Sequence, residues 1–244
     1  MTNMKIAILG GTGNIGKGFA LRWGQIHEVI IGSRDKERAA EAAAEYTAFL
    51  NERSLPSDIK GDENKAAAEA AEVVVIAIRY DQIQSIMEHI KPVLCKGQFV
   101  LSVVVPMTKD RCFLNAVADN VKIDVDPEEY NADYFCYAVP KAGSAAKEIQ
   151  ELLPPGVDLV ASFHNVSAKR LEDFDKVMDL DIAVCGNNKQ TKDAVMQLVR
   201  DIPGLNPVDV GPLEAAALTE PITPLLLNVA KMNKELRHAG IKFL

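Results

Sequence analysis

Gly11, Gly13 and Gly16 spell G-x-G-x-x-G directly after an apolar run of strand length, Lys5-Ile6-Ala7-Ile8-Leu9, and ahead of a segment with helical apolar spacing, residues 17–23. In that order the first glycine permits a tight turn, the second lets backbone approach a pyrophosphate, and the third lets helix pack closely on strand. The chemistry is anion binding, because the first N–H groups of a helix lack internal partners and its dipole favours negative charge there. Glycine turns before helices also arise for steric reasons alone. Here the pattern begins near the start of the chain, follows a buried-looking strand and precedes a second strand at the expected distance.

That second strand, Glu28-Val29-Ile30-Ile31-Gly32, ends in Ser33 and Arg34, with Arg38 four residues further along one helical face. An NAD site usually carries an acidic residue here to accept from the ribose 2′-OH. A hydroxyl and two guanidinium groups instead suit a doubly charged 2′-phosphate, which a carboxylate would repel. The expected cofactor is therefore NADP. Asp35 is the discordant residue, although a helix start also favours an acid.

The elements that must hold these loops follow in order. Residues 35–53 and 63–71 read as Ala-rich helices, with 59–61 as a short strand between them. Glu72-Val73-Val74-Val75-Ile76-Ala77-Ile78 is a continuous β-branched run, the mark of a parallel strand buried on both faces. Arg79 and Tyr80 at its end fall where open α/β sheets bind ligands. A helix over 81–94, a strand over 98–106, a helix from 143 to 153 and strands over 157–162 and 182–186 continue the alternation. The fold class is α/β, a doubly wound Rossmann-type parallel sheet with a small C-terminal α+β part. Right-handed crossovers put the early strand ends on one edge with the glycine turn. The expected division is an NADP-binding domain over 1–170 and a small domain over 171–244. A helix over 190–201 and a sheet-like piece over 207–213 precede a final helical segment, 214–236. Pro221 and Pro224 should kink it, and Ile222, Leu225, Leu226, Leu227 and Val229 suit a buried helix or a dimer contact.

Residues 107–141 form an acidic insertion, with Asp124, Asp126, Glu128, Glu129 and Asp133 among Tyr130, Tyr134, Phe135 and Tyr137. A solvated loop with aromatic anchors is the plain reading, a lid or subunit contact the other. No glycine stands where a calcium loop needs one, so no metal is expected. Cys95, Cys112, Cys136 and Cys185 are widely spaced and read as ordinary thiols. A net charge of -7 argues against nucleic acid or an anionic membrane as partner and favours a small molecule. No run approaches the roughly 20 apolar residues of a membrane span, and the expected location is the cytoplasm.

Later pieces of the chain add a resemblance. Ile8 to Gly18, Gly32-Ser33-Arg34, Gly143-Ser144-Ala145-Ala146, Ser162-Phe163-His164-Asn165-Val166-Ser167-Ala168, Val184-Cys185-Gly186, Gly211-Pro212-Leu213, Ile222-Thr223-Pro224-Leu225-Leu226 and the terminal Ala239-Gly240-Ile241-Lys242-Phe243-Leu244 are similar to the NADPH-dependent reductases of coenzyme F420. The resemblance implies hydride transfer between NADP(H) and the deazaflavin F420 in a homodimer, with the C-terminal part supplying the deazaflavin pocket and dimer contact. By position it assigns Thr12, Gly13, Asn14 and Ile15 to the pyrophosphate, and Ser33, Arg34 and Arg38 to the 2′-phosphate. Ile78, Arg79 and Met107 would edge the groove, with Val166 and Ala168 near the two rings. Arg79 stands where a proline is common, and Pro221 where some members carry a polar residue.

Such a reaction needs two flat rings placed face to face more than an acid or base, so no catalytic side chain is expected. His164 reads as structural. Two alternatives stay open: an NADPH-dependent reductase of a flavin or other small molecule, and a non-catalytic NADP sensor.

Overall fold

Lys5–Leu9 forms β1, the strand at which the sheet changes direction of growth. A computed structural model of the chain describes residues 3–109 and 134–244. Glu28–Ser33 (β2) and Ile59–Glu63 (β3) add on one side of β1. Val73–Ile76 (β4), Phe99–Ser102 (β5) and Asp158–Ser162 (β8) add on the other. These six strands are parallel in the order β3-β2-β1-β4-β5-β8, which is the doubly wound arrangement with its crevice at the end of β1. β1 and β4 are buried on both faces, as their apolar runs require.

Helices cover both faces. Asn14–Trp23 (α1) and the Ala-rich Lys36–Asn51 (α2) lie on one, with Phe19, Trp23, Ala39, Ala43 and Leu50 in its core. Asn64–Ala70 (α3), Ile83–Ile90 (α4) and Ala145–Leu152 (α5) lie on the other. The stripe Ile83, Ile86, Met87 and Ile90 buries α4, and the chain passes into a 3₁₀ turn at Lys91–Val93. Pro92 there has no N–H to continue the ladder, so the helix expected over 81–94 is shorter.

After β8 comes Ala168–Glu172 (α6), then Leu180–Gly186 (β9), Lys189–Arg200 (α7) and Leu205–Asp209 (β10). β9 runs antiparallel to β8, and β10 parallel to β9, so both extend the same sheet with reversed direction. Ile182, Val184, Val195 and Leu198 share a core with Phe19 and Trp23. The last segment breaks at Pro221 into Ala216–Thr219 (α8) and Ile222–Met232 (α9). Pro224 sits in the first turn of α9, where a missing N–H breaks no bond. α9 is not a buried helix: Pro224 is its one buried residue, and Leu225 is 58% exposed.

The ends of the acidic stretch pair as a two-stranded ribbon, Met107–Lys109 (β6) against Phe135–Tyr137 (β7). The readings of Cys112, Asp124, Asp126, Glu128, Glu129, Tyr130 and Asp133 fall outside the described residues. Cys95 and Cys185 are free thiols, but Cys136 is disulfide-bonded, which corrects the expectation of ordinary thiols throughout. No helix among the described residues is long and apolar enough to cross a membrane, and they hold no cluster suited to a metal ion.

Candidate functional site

The left-handed residue of the first turn is Gly10, at φ +80°, one position before the motif. A Cβ on Gly10 would fall 2.5 Å from the Ala77 carbonyl oxygen of the neighbouring strand exit. Gly11 is held by packing instead: its N–H donates to the Ile8 carbonyl at 3.0 Å, and a Cβ would lie 2.8 Å from that oxygen. Gly16 presses α1 onto the turn, since its Cβ would be 2.6 Å from Gly11 Cα. Gly13, the exposed N-cap of α1, meets nothing nearer than the Gly10 oxygen at 3.3 Å and leaves the turn open to a ligand. Thr12 and Ile15 are half-buried beside it and Asn14 is exposed.

Tyr46, missed from sequence, belongs to this turn. It is 3% exposed, and its hydroxyl donates to the Gly11 carbonyl oxygen at 3.1 Å. Burial pushes that hydroxyl up to about 12. The bond ties the carbonyl of the first motif glycine to α2. We expect Tyr46→Phe to weaken NADPH binding about three- to tenfold, since one neutral hydrogen bond is lost while the ring stays. Calorimetric titration checks this, and unchanged affinity would remove Tyr46 from the site.

At the end of β2, Ser33 is buried and its Oγ accepts from the Asp35 N–H at 3.3 Å. Asp35 resolves as the N-cap of α2: its carboxylate accepts from the Glu37 and Arg38 N–H groups at 2.9 and 3.2 Å. Arg34 and Arg38 are exposed, and neither has an ion-pair partner among the described residues. Two carboxylates at the end of β3 are engaged, Asp62 with Lys36 at 2.9 Å and Glu63 with His89 at 2.8 Å. Two free guanidinium groups therefore stand beside a hydroxyl, as a phosphate site requires.

Ile78 leans on the glycine turn, with its Cγ2 2.9 Å from where a Gly10 Cβ would be. Arg79 is turned to Asp81 in a two-point ion pair at 3.1 and 3.0 Å. Met107 is 40% exposed at the start of the ribbon.

On the far side of the crevice the exit of β8 is tightly specified. Phe163 adopts φ +64°, unusual for a side chain of its size, and its ring meets Phe19 and Trp23 edge-on at 4.9 and 5.7 Å. His164 is 4% exposed, with Nδ1 3.0 Å from Thr219 Oγ1 and its carbonyl accepting from the Thr223 hydroxyl. Val166 and Ala168 are half-buried in the loop that follows. That loop leads into α6, which lies against α1 because Gly18 leaves room: a Cβ there would be 2.6 Å from Leu171 Cβ. The buried Arg22 caps α6, donating to the Leu171 and Asp173 carbonyls at 2.7 and 2.9 Å.

Burial holds the His164 imidazole neutral, lowering it to about 3. The unfolded chain binds a proton at its ordinary value near 6.5 and the folded chain does not. Stability from this group is therefore full above pH 6.5 and declines as pH falls below it. Between pH 7 and 5 the loss is about 2 kcal/mol. Chemical unfolding of wild type and His164→Gln should show it as a steeper pH dependence in wild type; equal slopes would count against a buried neutral ring.

Sequence reasoning also missed Glu220. It is fully buried, and its carboxylate accepts from the Ala145 and Ala146 N–H groups, both at 2.9 Å, and from the Tyr137 hydroxyl at 2.7 Å. Burial pushes the carboxyl up against these donors, which pull it down. One signal pointed to it: an acid two residues before the α9 run, matched by a Gly-Ser helix start. By contrast, the Gly186 end of β9 lies level with Val160 and points away from the glycine turn, because β9 is reversed.

The sequence and the fold both have relatives among known proteins. The family described as NADP oxidoreductase, coenzyme F420-dependent, matches residues 5–106. The F420-dependent NADP reductase of Methanocaldococcus jannaschii is 38% identical over 93% of this chain and 92% of its own length. That of Methanothermobacter marburgensis is 33% identical over 98% of this chain and 97% of its own. Among solved structures, a candidate F420-dependent NADP-reductase from Arthrobacter sp. FB24 superposes with a TM-score of 0.70 at 22% identity, covering 99% and 98% of the two chains; this likeness speaks to the fold.

Proposed function

This chain belongs to the F420-dependent NADP reductases, and from that premise we propose how its crevice moves a hydride between NADP(H) and coenzyme F420. The observation that carries the reading is the pairing of an open glycine turn at the end of β1 with the exposed, unpaired Arg34 and Arg38 next to Ser33 at the end of β2. Gly11, Thr12, Gly13, Asn14, Ile15 and Gly16 hold the pyrophosphate on the α1 N-terminus. The arginines hold the 2′-phosphate, and Ile78, Arg79 and Met107 border the groove. The nicotinamide then extends toward Val166 and Ala168, where the deazaflavin stacks against it.

No side chain need move a proton. With both bound, the nicotinamide and the deazaflavin would supply the chemistry, a hydride passing from C4 of one to C5 of the other and a proton coming from solvent. The chain's part is to fix two flat rings face to face and exclude water between them. Residues 171–244 contribute through α8 and α9, whose Thr219 and Thr223 tie down His164 just before Val166.

We further propose that the enzyme works as a homodimer in the cytoplasm. Leu218, Leu225, Met232 and Leu236 leave an apolar surface on and around α9 that a second copy would cover. We expect Leu225→Glu to sediment as a monomer while wild type sediments as a dimer; a monomeric wild type would end this part.

Mixing the protein with NADPH and oxidised F420 should bleach the visible absorbance of the deazaflavin. Turnover with FAD or FMN and none with F420 would move the reading to a flavin reductase. NADPH binding with no acceptor reduced would leave a sensor.

A further inference from the structure

The NADP reading leaves one polar side chain at the adenosine end unexplained, that of Asn64, and a role for it rests on that reading. Asn64 opens α3 immediately after β3, where Gly32 pairs with Asp62 and Ser33 with Glu63. It therefore stands one position beyond the level of Ser33, at the same sheet edge and one strand over. The side chain is 4% exposed. Its Oδ1 is fully buried and has no hydrogen-bond partner among the described residues.

That oxygen is pressed against Gly32, where a Cβ would come within 2.8 Å of it and within 2.7 Å of Leu9 Cδ2. A glycine at this point of β2 is what lets the carboxamide lie over the strand end. The neighbouring carboxylates are satisfied by the protein. Asp62 accepts from the Glu63 N–H at 2.8 Å and from Lys36, Glu63 accepts from the Lys65 N–H at 2.9 Å and meets His89, and Asp35 caps α2. The Asn64 amide nitrogen makes no hydrogen bond to the described residues and, unlike the oxygen, is not wholly shut off from solvent.

A carboxamide held with its oxygen on an apolar strand end is unfavourable unless its other end is used. A leucine or alanine would pack there at no such penalty. The end of β2 is where the adenosine ribose is met when the pyrophosphate sits on the glycine turn, and Asn64 directly follows the strand paired with β2. We propose that Asn64 is a further recognition residue for NADP(H), its amide nitrogen donating to the phosphorylated ribose beside Ser33 and Arg34. It supplies a neutral, directional donor to an oxygen that the two arginines address by charge.

Calorimetric titration of the full-length protein with NADPH and with NADH tests this on wild type, Asn64→Ala and the isosteric Asn64→Asp. Asn64→Ala should weaken NADPH about tenfold and NADH less than about twofold. Asn64→Asp should weaken NADPH further, because a carboxylate then faces the phosphate, and again leave NADH nearly unaffected. Thermal unfolding of each variant shows that it is folded at the titration temperature. Wild-type NADPH affinity in both variants, or equal loss for the two cofactors, overturns the assignment. A wild-type protein that does not bind NADPH would instead overturn the reading beneath it.

Discussion

Arg34→Ala raises the dissociation constant for NADPH about 10- to 100-fold and leaves that for NADH within about twofold. The guanidinium has no competing anion among the described residues, so its charge is free for a phosphate. Two acids at this end of the sheet are occupied elsewhere: Asp35 accepts from two backbone N–H groups of α2, and Asp62 pairs with Lys36. NADH lacks the 2′-phosphate and has nothing to lose. Titration with both nucleotides reads the ratio directly, and equal weakening of both would mean that the Ser33 and Arg34 loop is not where the phosphate sits.

Glu220→Ala should lower stability by about 3 to 5 kcal/mol, the largest effect expected of any single substitution away from the glycine turn. The loss follows from two N–H groups at the start of α5 left without an acceptor in a buried site, and from a Tyr137 hydroxyl left with only its 3.5 Å contact to the Gly143 carbonyl. For a domain of this size that corresponds to a melting temperature lower by roughly 6 to 20 °C. The catalytic consequence differs from that of Arg34. Glu220 sits between Thr219, which meets His164, and the start of α9, which carries Thr223. At a temperature where the variant is folded, kcat for F420 reduction should fall while NADPH affinity stays near wild type. A melting curve matching wild type would remove Glu220 as the pin of the C-terminal segment.

The parts of the site that could be read in the sequence are those set by local rules. A parallel strand buried on both faces is a continuous apolar run, and a phosphate turn needs glycines at fixed offsets, so β1, β4 and the G-x-G-x-x-G turn were legible. For Ser33, Arg34 and Arg38 the sequence showed the placement, at one strand end and the first turn of the next helix. Asp35 shows the limit: its sequence position admits either an acid aimed at a ribose or a helix cap, and only the bonds to Glu37 and Arg38 decide.

What was not legible depends on contacts distant in sequence. The reversal at β9 leaves no mark in its apolar run, since alternation and burial are the same in either direction. Tyr46 reaches Gly11 across 35 residues and Glu220 reaches Ala145 across 75. The left-handed turn fell to Gly10 because the Ala77 carbonyl lies within 2.5 Å of where a Cβ would project, a neighbour supplied by β4. Arg79 was legible as a residue at a strand end but not as a partner of Asp81, because side-chain pairing in an exposed loop has no periodicity to betray it.

Direct transfer of hydride between two stacked rings is the central claim about this chain, and isotope tracing tests it. NADPH carrying deuterium at nicotinamide C4, on the face that is transferred, is mixed with the protein and oxidised F420 in ordinary water, and the reduced deazaflavin is examined by mass spectrometry. One deuterium retained at deazaflavin C5 is the expected result. Reduced deazaflavin free of label, with the deuterium released to water or left on the nicotinamide, would contradict direct transfer.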